Sequence, residues 1–235
     1  MPYVLGHVYL ASRLSKNPQF ILGNVFPDIG HLIDKETHAK MIGFAEAYYK
    51  FTGNRVFYDG VKNHFIIDGY MHPNFVFKKV SILKEKFKNV DDIVLHALIE
   101  ATMDMEIAKR HPEIYGYLSS ALKNFDKDGF TVYLSDYLYM DRKKIRVIIE
   151  DGFNVINNRK IYSIRNLFTK VLSLRKYAIG RNYLGNIRIR HTRKLFKTVR
   201  ETVKEDYDEY LEKTVELTKK RLSVKAKNRY TFEDV

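Results

Sequence analysis

Apolar residues recur at three- and four-residue intervals along most of the chain, the period of a helix that buries one face. Val8, Leu10, Ala11 and Leu14 mark a short amphipathic helix around His7, and Asn17-Pro18 breaks it. Phe20 to Asp28 is apolar but interrupted by Gly23 and Pro27. Proline biases Phe26 away from helical backbone and places Asp28 at a turn. Residues 39–51 read as a helix ended by Gly53, and a second runs from Val56 to His72, where Pro73 stops it. A weaker, basic helix follows over 75–88. Asp91-Asp92 caps the next one, which continues to about Arg110 before His111-Pro112. His111 at this break reads as structural. Further helices fit 114–125, 129–139, 141–156 and 160–177, with a loop over 180–189. One long amphipathic helix spans Arg190 to Arg221, with Leu195, Val199, Val203, Tyr207, Leu211 and Val215 on one side, and residues 223–235 lack periodicity. Strand-like alternation is not found, so the fold class is all-α.

Polar residues interrupt the apolar faces in one repeated way. His64, Asp68 and His72 stand four apart on the helix that also carries Phe65, Ile66 and Ile67. Steps of four rotate by only about 40°, so the three side chains share one stripe. His96, Glu100 and Asp104 repeat the spacing on the Asp92 helix. Ionisable groups on partly buried helices must be paired, hydrogen-bonded or bound to a metal. Helices that face each other with ligand pairs at this spacing outline a bundle-type metal site. His7 in a terminal helix and Asp28 after a proline are ordinarily structural and are weaker candidates, as is His38, which His31, three residues after Asp28, rivals. Five of the chain's eight histidines take part. The structural alternative is a network of buried hydrogen bonds.

Composition narrows the chemistry. The chain has no cysteine, which excludes a thiolate site and leaves imidazole and carboxylate, a donor set suited to zinc, manganese or iron. No His-Glu-x-x-His run and no His-Asp dipeptide occurs, which speaks against a zinc protease and the helical His-Asp hydrolases. No basic-then-apolar leader opens the chain, and no run reaches the roughly 20 apolar residues of a spanning helix. The expected location is cytoplasmic. Charge divides the chain: residues 157–235 hold 21 Lys and Arg against 9 Asp and Glu, leaving the first 156 residues nearly neutral. We therefore expect a metal-binding helical domain over 1–156 and a basic helical region over 157–235 packed on it. Arg159 to Arg200, with no acidic residue, attracts a polyanion such as nucleic acid or an anionic lipid surface. Tyr162, Phe168, Tyr177 and Tyr183 are its stacking candidates, though each sits among aliphatic neighbours.

The order His7, Asp28, Thr37-His38, His64-x3-Asp68, His72, His96-x3-Glu100 resembles the zinc-dependent phospholipase C family. That superfamily also holds the single-strand-specific zinc nucleases. Gly-Asn-Val-Phe-Pro-Asp and His-Phe-Ile-Ile-Asp-Gly-Tyr-Met-His-Pro carry the resemblance most clearly, and it covers about residues 1–105. It implies a helical fold with two or three zinc ions and hydrolysis of a phosphate ester. By this resemblance Asp28, His38, His64 and Asp68 hold one metal, and Asp68 bridges to a second that also takes His7. His72, His96 and Glu100 hold the third, and Asp28 and Asp68 are the carboxylates closest to the chemistry. The alternative functions are a nuclease, or a non-catalytic nucleic-acid or membrane-surface binder with a structural metal.

Overall fold

The computed structural model describes residues 4–30, 33, 35–157 and 189–227, and these contain helices and no strand. Eleven α-helices run in order: α1 (Val4–Ser12), α2 (Pro18–Gly30), α3 (Lys35–Thr52), α4 (Arg55–Met71), α5 (Phe77–Lys86), α6 (Asp92–Arg110), α7 (Ile114–Lys123), α8 (Lys127–Leu138), α9 (Arg142–Asn157), α10 (Ile189–Lys204) and α11 (Tyr207–Lys227). A π-helical turn, His72–Val76, joins α4 to α5. The expected helix over 160–177, the loop up to residue 188, His31 and the four stacking candidates lie outside the described residues.

α2 is the axis of the fold. Every residue from Phe20 to Gly30 is buried, and α1, α3, α4 and α7 all pack on it. Its closest neighbour is α4, because glycines meet where the two helices cross. A Cβ on Gly23 would lie 2.2 Å from the Phe57 carbonyl oxygen, and one on Gly60 would lie 2.3 Å from that of Phe20. Only hydrogen fits there. Below the crossing, Phe26, Phe44, Phe57 and Phe130 form an aromatic cluster, with ring centroids 4.3 Å apart for Phe26–Phe130 and 4.9 Å for Phe44–Phe130. Such tilted and edge-on pairs add about 0.5–1.5 kcal/mol each beyond their area burial.

Two prolines act differently from one another: Pro27 does not break its helix, and Pro73 follows the end of α4. Pro27 lies inside α2, so Asp28 occupies its last turn and not a free loop. A proline inside a helix removes one hydrogen bond and crowds the carbonyl four residues back. That residue is Gly23, in a helix buried on all sides, and tertiary packing outweighs the local cost. Pro73 ends α4 as expected, at the His72 C-cap, but the backbone stays helical beyond it. The π turn absorbs the proline, and the Phe77 N–H donates to the His72 carbonyl five residues back.

The long C-terminal helix expected from Arg190 to Arg221 is instead two helices with a corner at Glu205–Asp206. Asp206 pairs with the buried Lys79 ammonium at 2.7 Å, and the next residue, Tyr207, is fully buried. One straight helix cannot satisfy both. α10 packs on α5 and α6, and α11 on α4 and α1. The buried Glu106 carboxylate on α6 accepts from Arg200 Nε at 2.9 Å and pairs with Lys204 at 3.4 Å. α10 and α11 are therefore part of the same core as the helices of residues 4–157. At the described end of the basic run Arg200 is paired with Glu106, Lys197 faces Glu201, and Lys194 is exposed.

Candidate metal centre

Five helices aim one or more polar side chains at a common point. α1 supplies His7, α2 Asp28, α3 His38, α6 His96 and Glu100, while the stripe on α4 and its π turn supplies His64, Asp68 and His72. Local structure sets each of them. Asn54 caps α4 by accepting from the Phe57 N–H at 3.1 Å, and Asp91 caps α6 through the Ile93 N–H at 2.8 Å. Asp104 anchors α1 from below, its Oδ1 accepting the Gly6 N–H at 3.0 Å beside His7.

Three sets of potential ligand atoms result, each with its atoms within 4.8 Å of one another: His7, His64 and Asp68; Asp28, His38 and His64; and His72, His96 and Glu100. His64 belongs to both inner sets. Its Nδ1 lies 2.8 Å from the Asn24 carbonyl oxygen, which can only accept, so Nδ1 carries a proton and Nε2 faces inward. Around that Nε2 stand Asp68 Oδ2 at 3.2 Å, His38 Nε2 at 3.4 Å and Asp28 Oδ1 at 3.8 Å. Asp68 joins the sets: Oδ1 lies 3.1 Å from His7 Nε2 and 3.9 Å from His72 Nε2. In the outer set, Glu100 Oε1 takes His72 Nε2 at 3.1 Å and His96 Nε2 at 2.9 Å. All eight residues singled out as ligands are thus brought together.

The electrostatics are those of a site short of positive charge. Burial pushes the Asp28 carboxyl up to about 8, against the pull of His64. Burial opposes charge on His64, yet Asp68 and then Asp28 outweigh it and raise the ring to about 9. Burial, followed by the charge on His64, lowers His7. Burial also works against the Glu100 carboxylate, but hydrogen bonds from His72 and His96 bring it down to about 2. Asp68 is held well below the usual carboxylate range by His64 and His7 despite its burial. Among the described residues, every ion-pair partner of these three carboxylates is a histidine. Asp28 Oδ2 is buried and meets no hydrogen-bond donor. Imidazoles and carboxylates converge with Asp28 Oδ2 left without a donor, an arrangement that a divalent cation would satisfy. Nitrogen and oxygen ligands in sets of three fit zinc with an open position.

The residues that orient the ligands had weaker sequence signals. Asn24 lies inside Gly-Asn-Val-Phe-Pro-Asp, but nothing in its spacing singles out a backbone carbonyl as the partner of His64. Phe65, whose ring lies 5.3 Å from that of His64, reads as part of the apolar face of α4, and no sequence signal marks Phe77, whose ring lies 5.8 Å from that of His72 without a hydrogen bond that holds it. His111 is structural, as expected: it ends α6, with its N–H on the Ile107 carbonyl and its ring against Tyr9. No described helix is long and apolar enough to cross a membrane. Comparison of the chain with protein-family models, with curated proteins and with solved structures returned no match in any of the three.

Proposed function

We propose that the chain is a zinc-dependent phosphoric ester hydrolase of the phospholipase C type, acting on a phosphodiester or phosphate ester. The observation that carries this reading is the trio of adjoining ligand sets joined through His64 and Asp68. A cluster of two or three divalent ions fits there, with His7, Asp28, His38, His64 and Asp68 around the inner positions and His72, His96 and Glu100 around the outer one. Bound zinc would supply Lewis acidity toward a phosphoryl oxygen and lower the pKa of water near neutrality.

The chain's own part is positioning. Asn24 fixes the tautomer of His64, so that both inner sets share one inward-facing nitrogen. Asp68, between inner and outer sets, holds and orients the attacking water in line with phosphorus. Asp28, buried 3.8 Å from His64 Nε2, completes the inner set with His38. With no Lys or Arg paired to the site's carboxylates among the described residues, the phosphoryl charge would be met by the cluster rather than by side-chain cations.

The alternative, a nucleic-acid or lipid-surface binder working through Arg159–Arg200, falls mostly outside the described residues; of the described ones, Arg200 is paired with Glu106 while Lys194 and Lys197 are exposed. Elemental analysis of protein purified without chelator, with hydrolysis of a generic phosphodiester, tests the reading. Two or three zinc ions per chain are expected, with activity lost in His64→Ala and Asp68→Asn. Wild-type activity in both variants would refute the catalytic role.

A further inference from the structure

The outer set is the more open side of the cluster. His7, His64 and Asp28 are 1%, 0% and 3% exposed and Asp68 18%, with His38 partly buried, whereas His72 and His96 are 30% and 29% exposed. The outer set therefore offers a substrate its readiest approach, and the surface around that opening meets whatever is attached to its phosphoryl group.

Two large apolar side chains stand at that surface, Phe77 and Ile93. The π turn sets Phe77 five residues after His72, so its ring returns beside the histidine it follows. The Phe77 ring lies 5.8 Å from that of His72 and 5.7 Å from that of His96, yet half of the residue remains exposed. Ile93 is three residues before His96 on the stripe of α6 that leads to Glu100, and it is 65% exposed. Large apolar side chains exposed next to a converging polar site are more than scattered surface hydrophobics.

We infer that Phe77 and Ile93 form an apolar lip that binds a flat, apolar ester group of the substrate, making Phe77 a specificity-determining residue. This inference rests on the hydrolase reading. A ring laid on Phe77 would bury its free face while the phosphoryl oxygens reach the outer set. Esters with only a small polar group would gain nothing from this contact.

The test uses two phosphonates that differ only in the group presented to the lip, phenylphosphonate and methylphosphonate. They are titrated by calorimetry into zinc-reconstituted full-length protein, with zinc content measured on the same samples. Wild type should bind the phenyl compound about tenfold tighter than the methyl one. Phe77→Ala should bring that ratio close to one while leaving zinc content and methylphosphonate affinity within about twofold. Ile93→Ala, away from the histidine rings, should lower the ratio partway. A zinc-loaded wild type with no phenyl preference, or a preference that survives Phe77→Ala, overturns this inference alone. Failure of the protein to bind zinc overturns it together with the hydrolase reading.

Discussion

Replacing Gly60 by alanine should separate the two helices on which the inner ligand sets depend. A Cβ at this position would lie 2.3 Å from the Phe20 carbonyl oxygen and 3.1 Å from Gly23 Cα. Both are backbone atoms, so no rotamer change relieves the overlap, and the crossing must open by about 1 Å to restore ordinary contact. Overpacking of this kind costs about 1–3 kcal/mol. Loss of the hydrogen bond from Asn24 Nδ2 to the Gly60 carbonyl, now 3.1 Å, adds about 1 kcal/mol. The better helix propensity of alanine returns up to about 1 kcal/mol, leaving a net loss of about 1–3 kcal/mol. For a chain of this size, that is a fall in Tm of about 3–10 °C. Gly69, on the same helix, has nothing within 4 Å of its Cβ position. Gly69→Ala should therefore raise Tm by about 1–3 °C through propensity alone. Thermal unfolding by circular dichroism reads both variants. Zinc content after reconstitution reads the site, because opening the crossing draws the Asn24 carbonyl away from His64 Nδ1. A Gly60→Ala protein that melts with wild type and keeps its zinc would refute this account of the α2–α4 contact.

Metal removal should cost more at pH 8 than at pH 6. In the metal-free protein His64 is raised to about 9, so its contribution is present below its unfolded value and lost as pH rises through about 9. Asp28, raised to about 8, favours its protonated form when folded, so stability also falls as pH climbs from the ordinary carboxylate range toward 8. The gap in Tm between zinc-loaded and chelated protein should therefore widen from pH 6 to pH 8; a narrowing gap would contradict the assignment. In acid, Glu100 acts in the opposite sense. Its folded value of about 2 makes a stabilising contribution above the unfolded carboxylate range that disappears as pH falls toward 2, and Glu100→Gln should blunt the acid limb of chelated-protein melts. Glu106→Gln should destabilise by about 2 kcal/mol by leaving Arg200 and Lys204 without their buried partner. A melt indistinguishable from wild type would show that α10 is held by Leu195, Val199 and Val203 alone. Truncation after Asn158 strips α10 and α11 from Met71 and Met103, so the expected result is loss of the cooperative melt.

The all-α class and five of the eight converging residues were legible in the chain because both rest on short-range periodicity, while His7, Asp28 and His38 entered through the family resemblance. A four-residue step puts His64, Asp68 and His72 on one stripe whatever the rest of the protein does, and the same holds for His96 and Glu100. What periodicity could not decide was how the helices meet. Local rules ended α2 before Asp28 and stopped α4 at Pro73. In the folded protein burial overrides the first rule; the second holds, but the π turn keeps the backbone helical and returns Phe77 to His72. Nor could the pattern from Arg190 to Arg221 reveal a corner, because the apolar stripe continues through it. The break exists because Lys79, far away in sequence, needs Asp206. The same is true of Asn24, whose role lies in a backbone carbonyl that no side-chain pattern encodes. The sequence by itself determined which residues can bind and which faces they share. The tertiary structure decided that His7, His64 and Asp28 are buried, that the outer set opens beside Phe77, and that α10 and α11 are held against the core. These outcomes depend on contacts between residues distant in sequence, which local spacing does not specify.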